Sequence, residues 1–193
     1  MTDYIPIEDR HLLWLDLETT GLDSLVNEIM EVSAIFSKGG EVIERFHCYP
    51  STRIKFTKGL WSEYAYDLHT ENGLLEDISD SLKNSGLSAI RFEEEHRGRL
   101  ISFLQRCYSE LPKPEEGEKQ PGLILAGSNP NFDRTFMVDQ YPSSSSLLHY
   151  RTFDSNVLYM MYSDPDKEKS DRLHRATKDV EEDFKFFKEI LRR

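Results

Sequence analysis

The run Leu12-Leu13-Trp14-Leu15-Asp16-Leu17 constrains this chain more than any other stretch. It is apolar except for one acid near its end, and it reads as a central β-strand. Glu18 follows directly. Residues two apart on a strand point to the same face, so Asp16 and Glu18 project together from the C-terminal end of a buried element. Two adjacent carboxylates repel, and desolvating them is costly unless a cation sits between them. Hard oxygen ligands of this kind suit Mg²⁺ or Mn²⁺. Taken alone the pair reads as two solvated acids, since charged side chains are mostly exposed. The following Thr19-Thr20-Gly21-Leu22, and two further acids, shift that balance.

Further strands are expected over 28–36 and, after the Gly39-Gly40 turn signal, over 41–49, giving an antiparallel meander. Helical segments are expected over 60–66, 74–82 and 92–108, the last with Leu100, Phe103, Leu104 and Cys107 at helical spacing. Residues 112–122 are rich in Pro, Glu, Lys and Gly and read as a surface loop within one domain. A buried strand over 123–126 leads to a helix over 131–140, capped by Asn129 or Asn131. Ser143 to Ser146 reads as a loop, 150–153 as a last strand, and a helix then runs to about Tyr162. Residues 163–170 are charged and loop-like. The final helix, over 176–191, carries Val180, Phe184, Phe187 and Leu191 on one core-facing stripe. Strands first, then strand and helix alternating, predict an α/β fold with a mixed sheet.

Two more acids join the argument. Asp133 falls in the first turn of the helix after the fourth strand, where an acid also suits the helix dipole. Asn129 and Asn131 before it read as caps or as substrate ligands. Asp179 opens the last helix at the edge of its apolar stripe. His174 lies five residues earlier, placed to swing over a neighbouring metal site. An imidazole is the natural base for taking a proton from water at physiological pH. Lys178, beside Asp179, is expected to point away, neighbours on a helix being ~100° apart.

Composition narrows the class. With 24 Lys and Arg against 35 Asp and Glu the net charge is −11, which argues against tight binding of long nucleic acid through many phosphates. A two- or three-nucleotide substrate needs few such contacts. No apolar run approaches the ~20 residues of a membrane span. The acidic N-terminus resembles neither a signal nor a transit peptide. Two cysteines, Cys48 and Cys107, fit neither a disulfide framework nor a zinc spacing, so ordinary buried thiols in a reducing cytoplasm are expected.

These four acids and one histidine, in this order and on these elements, resemble the exonuclease superfamily named for its Asp-Glu-Asp-Asp ligands with a histidine base. More closely, the chain resembles oligoribonuclease. Asp16 to Asp23 is similar to that family's Asp-Leu-Glu-X-Thr-Gly-Leu-Asp, and His69-Thr70-Glu71-Asn72-Gly73-Leu74 to its His-Thr-X-Ser-Gly-Leu. Asp133-Arg134-Thr135-Phe136 resembles Asp-Arg-X-Phe, and His149-Tyr150-Arg151 with Asp154 resembles His-Tyr-Arg-X-X-Asp. Departures are Gly127-Ser128-Asn129 for Gly-Asn-Ser, Tyr64 for a usual tryptophan, Asn72 for serine, and Phe132 for a polar residue.

The resemblance implies a single exonuclease domain, 1–193, of ribonuclease H-like fold, with a mixed five-stranded sheet flanked by helices. It implies 3′→5′ hydrolysis of short single-stranded RNA to 5′-mononucleotides in the cytoplasm. Two divalent ions, Mg²⁺ or Mn²⁺, would be held by Asp16, Glu18, Asp133 and Asp179, with His174 as base. Leu22 would wedge between bases or serve the core, and Tyr64 and His69 would contact the 3′ nucleotide, Tyr64 alternatively being packed. Family members are typically homodimers, with Tyr150 and Arg151 completing the partner's site; Arg151 suits a 5′-phosphate or a surface salt bridge. A DNA-directed exonuclease of the same superfamily would share every catalytic residue. A catalytically inactive nucleotide-binding module is the alternative from another class.

Overall fold

The computed structural model describes residues 6–116, 121–162 and 174–192. Part of the expected 112–122 loop and all of the 163–170 loop lie outside these residues. Five strands, β1 (His11–Thr19), β2 (Ile29–Lys38), β3 (Glu41–Cys48), β4 (Leu123–Gly127) and β5 (Leu148–Asp154), form one sheet in the order β3-β2-β1-β4-β5. β1 pairs antiparallel with β2, and β2 with β3, whereas β4 runs parallel to β1 and β5 parallel to β4. The helices are α1 (Glu63–Glu71), α2 (Leu74–Ser85), α3 (Ala89–Ser109), α4 (Pro130–Gln140), α5 (Pro142–Ser145), α6 (Ser155–Tyr162) and α7 (Ala176–Leu191). This is the mixed five-stranded, helix-flanked α/β sheet that the sequence led us to expect.

Alternation along β1 sorts its side chains between two cores. Leu13, Leu15 and Leu17 pack with Leu100, Phe103 and Leu104 of α3 and with Phe136 and Met137 of α4. Leu12 and Trp14 face the other way and pack with Val180, Phe184 and Phe187 of α7. The Trp14 ring centroid lies 5.0 Å from that of Phe187 and 5.8 Å from those of Phe184 and Phe153, within the range of favourable aromatic contacts. Leu191 packs at the edge of the same cluster, so the stripe read from the sequence is the face α7 buries. A third cluster joins Met30 of β2 to Trp61, Ala65, Leu74 and Ile78 around α1 and α2. Cys48 and Cys107 are free and buried, and burial pushes both thiols up to about 12.

Some local expectations need correction. Ser143 to Ser145 belong to the short helix α5, because Pro142 at its first position supplies helical φ without a lost donor. Asn129 stands at the cap of α4 but makes no capping bond through its side chain, being left-handed (φ 57°) rather than extended. Asn131 lies inside the helix, its Oδ1 accepting from the Thr152 hydroxyl at 3.3 Å. Among the described residues no helix is long and apolar enough to cross a membrane.

Candidate active site

Asp16 and Glu18 continue the row begun by Leu12 and Trp14, so they emerge on the α7 side of the sheet. α7 brings Asp179 to them: one carboxylate oxygen from each of Asp16, Glu18 and Asp179 lies within 4.8 Å of the others. Lys178 is exposed and turned away. Asp133 arrives from α4, and its Oδ1 accepts the Leu17 N–H at 3.0 Å, from the residue between the two strand acids. All four acids, with His174, Ser128, Asn129, Phe132 and Leu17, line one open cleft of about 200 Å³. It lies at the C-terminal ends of the parallel strands β1 and β4, where sheets flanked by helices commonly bind ligands.

The turn after β4 makes this convergence possible. Gly127 has φ 150°, and a Cβ there would meet the Leu15 carbonyl oxygen at 3.0 Å. Only glycine lets the two backbones approach so closely. Asn129 then turns left-handed, and its N–H donates to Asp154 Oδ1 at 3.3 Å.

Electrostatics in the cleft are dominated by burial and by repulsion among the acids. Burial, then repulsion from Asp133, Glu18, Asp179 and Asp183, holds the Asp16 carboxyl well above the usual carboxylate range. Burial, reinforced by Glu31 and Asp179, pushes Glu18 up to about 9. Burial pushes Asp133 to about 8 against the lowering effect of its backbone hydrogen bonds. Clustered carboxylates of raised proton affinity are a donor set that fits a hard divalent cation, which would favour their ionised forms.

The sequence-assigned substrate residues divide. Leu22 is 86% exposed and Tyr64 74% exposed, so neither packs into a core of this chain. Leu22 tops a loop braced by Asn27, whose Nδ2 donates to the Leu60 carbonyl at 2.7 Å and whose Oδ1 accepts the Asp23 N–H at 2.8 Å. His69 is buried on the inner face of α1 with Ala65. Its Nε2 donates to the Thr19 carbonyl at 3.1 Å and lies 3.7 Å from Glu18 Oε2. Burial lowers the His69 pKa, so this is a neutral ring behind Glu18 rather than an ion pair. Asn129 lines the cleft, while Tyr150 and Arg151 stand exposed on β5, the Arg151 guanidinium 5.2 Å from the Tyr150 ring centre.

Two buried acids escaped the sequence reading. Asp183, one turn beyond Asp179 on α7, accepts hydrogen bonds from Ser128 Oγ (3.2 Å) and Ser155 Oγ (2.9 Å), tying α7 to the ends of β4 and β5. Its i, i+4 spacing from Asp179 was the available signal, masked by the acidic run Glu181-Glu182-Asp183. Glu31 on β2 sits opposite Glu18 in the β1–β2 ladder. It accepts from His47 Nε2 (2.9 Å), from Arg175 Nε (3.3 Å) and NH2 (3.2 Å), and from the Ala176 N–H (3.0 Å). Burial alone would raise Glu31, but the His47 and Arg175 hydrogen bonds carry it below its ordinary value.

No family model matches the chain. It is 29% identical over 192 residues to the oligoribonuclease of Corynebacterium diphtheriae, covering 92% of this chain and 79% of that one. It is 26% identical over 182 residues to the oligoribonuclease of Buchnera aphidicola (91% and 89% covered) and 24% over 188 to that of Francisella tularensis (94% and 96%). Among solved structures, E. coli exonuclease I bound to an oligonucleotide aligns with TM-score 0.47 at 17% identity, over 95% of this chain and 40% of that one. Exonuclease I with an inhibitor aligns with TM-score 0.45 at 19% identity, over 95% and 41%. Across more than nine-tenths of its length the chain is thus a sequence relative of the bacterial oligoribonucleases.

Proposed function

We propose that this protein is a 3′→5′ exoribonuclease that hydrolyses very short RNA to 5′-mononucleotides. The observation that carries the reading is the meeting of Asp16, Glu18, Asp133, Asp179 and His174 in one cleft, from three distant stretches of chain. The relatives named oligoribonuclease supply the substrate class. Asp16, Glu18, Asp133 and Asp179 would hold two divalent cations, which when bound neutralise the carboxylates and stabilise charge on the phosphate.

The chain's own part is to bind, orient and move a proton. His174, exposed at the cleft rim, takes a proton from the attacking water. The water oxygen bonds to phosphorus as the P–O3′ bond breaks; the departing O3′ takes a proton from solvent, so the shortened strand leaves with a 3′-hydroxyl, and His174 releases its proton to solvent. The exposed faces of Leu22 and Tyr64 suit base contacts, base–aromatic stacking being worth ~1–3 kcal/mol per base. Tyr150 and Arg151 would serve a site on a partner subunit, Arg151 through a 5′-phosphate.

The test is a time course on 5′-labelled RNA of two to seven nucleotides and on longer single-stranded DNA, with Mg²⁺, Mn²⁺ or chelator. Rapid, cation-dependent cleavage of the diribonucleotide supports the reading. Preference for long DNA would instead make this a DNA-directed exonuclease, and no cation-stimulated hydrolysis would leave a nucleotide-binding module.

A further inference from the structure

His174 is one of two non-glycine residues with positive φ among the described residues, at 43°. A left-handed histidine is uncommon and persists when its surroundings over-determine it. Here three successive residues are fastened to three different elements. The His174 carbonyl accepts from Asn72 Nδ2, at the C-cap of α1, at 2.6 Å. The Arg175 guanidinium pairs with Glu31 of β2 and, at 2.8 Å, with Asp77 Oδ2 of α2. The Ala176 N–H, one of the unpaired donors opening α7, is taken by Glu31 Oε2 at 3.0 Å.

Of these ties, the one from Asn72 acts on His174 itself. Asn72 has a second task that fixes its orientation: its Oδ1 accepts the Leu74 N–H at 3.0 Å. The amide is therefore held at both ends, oxygen toward α2 and nitrogen toward His174. Serine, usual at this place in the family that the sequence resembles, has a shorter side chain with a single hydroxyl and cannot span both contacts in the same way.

We infer that Asn72 is a positioning residue for the general base, its side-chain N–H holding the left-handed backbone that sets the His174 imidazole over the carboxylates. This rests on the assignment of His174 as base. Asn72 is not among the residues that line the cleft, and its contact there runs through the His174 carbonyl.

Asn72→Asp isolates the contact, keeping the acceptor for the Leu74 N–H and removing the donor to His174. Asn72→Ala controls for the added charge. With a 5′-labelled diribonucleotide and Mn²⁺, both variants should lower kcat about ten- to a hundred-fold with KM little changed, since small misplacements of reacting groups cost on that scale. Combined with His174→Ala, either should add nothing to the loss caused by His174→Ala alone. In the metal-free protein the His174 ring resonances should shift in Asn72→Asp while the melting temperature stays near that of the parent. Wild-type kcat in both Asn72 variants, alongside an impaired His174→Ala, would overturn the inference and leave the base assignment standing. Losses that multiply in the double variants would overturn it too, by showing that Asn72 acts elsewhere. Full kcat in His174→Ala would remove the base assignment and the inference together.

Discussion

Glu18 and Glu31 face each other across the β1–β2 ladder, both buried, with opposite proton affinities. Glu31 is held ionised by His47 and Arg175, while burial and repulsion from Glu31 push Glu18 up to about 9, so that it holds its proton at neutral pH. Two like groups side by side are thus driven apart by their neighbours.

The stability of the metal-free protein should therefore fall as pH rises. Glu18, Asp133 and Asp16 hold protons in the folded state that the unfolded chain releases near pH 4. Their stabilising contribution is complete below about pH 4 and is lost as pH rises through the folded-state values, about 8 for Asp133 and about 9 for Glu18. Buried His69 and His96, whose pKa values are lowered, act in the opposite sense, but only below about pH 6.5. Between about pH 7 and 8 the acids dominate; nearer pH 9 the buried thiols of Cys48 and Cys107, also raised, add to the fall. Thermal unfolding with chelator should show a melting temperature that falls over this range, and Mn²⁺ should restore more of it at pH 9 than at pH 7.

Asp179→Asn removes one charge from the trio without changing its shape. Hydrolysis of a diribonucleotide should be abolished. A variant with unchanged activity would take Asp179 out of the ligand set.

His174 is exposed, so His174→Ala should cost little stability. It should slow kcat by about 10²–10⁴-fold, the usual contribution of a positioned base.

Glu31→Ala leaves the Ala176 N–H and His47 Nε2 without an acceptor and the Arg175 guanidinium with Asp77 as its carboxylate partner. Leaving a buried donor without its acceptor costs about 1–3 kcal/mol. Urea titration should show that loss, whereas Leu22→Ala and Tyr64→Ala, at exposed positions, should leave the midpoint nearly unchanged. Those two variants should instead raise KM for a diribonucleotide.

Arg151→Ala should impair cleavage of a 5′-phosphorylated dinucleotide more than an unphosphorylated one. Equal losses on both would count against a phosphate role for Arg151.

Much of this was readable from residue order. The two-residue period of Leu12 to Glu18 gave the face on which the acids emerge, and the stripe Val180, Phe184, Phe187 gave the helix that covers it. Periodicity reports which side of an element is buried; the grouping of Asp179 with Asp16 came from the resemblance in motif order. Periodicity did not separate Tyr64 from His69: both lie on α1, yet one is exposed and the other buried. Nor did it reveal Glu31, whose Arg175 partner is 144 residues away, or Asn72, whose role depends on a left-handed backbone at His174. Such pairings belong to tertiary contact, and no local pattern encodes them.

The closeness of β4 to β1 at Gly127 carries a consequence for variation in this chain. A single methyl group there would strain the backbone and press on the Leu15 carbonyl, shifting by a few tenths of an ångström the strand bearing Asp16 against the turn leading to Asp133. Damage to the acid cluster can thus originate at a position that contributes no atom to it, and a screen confined to the acids would pass it by.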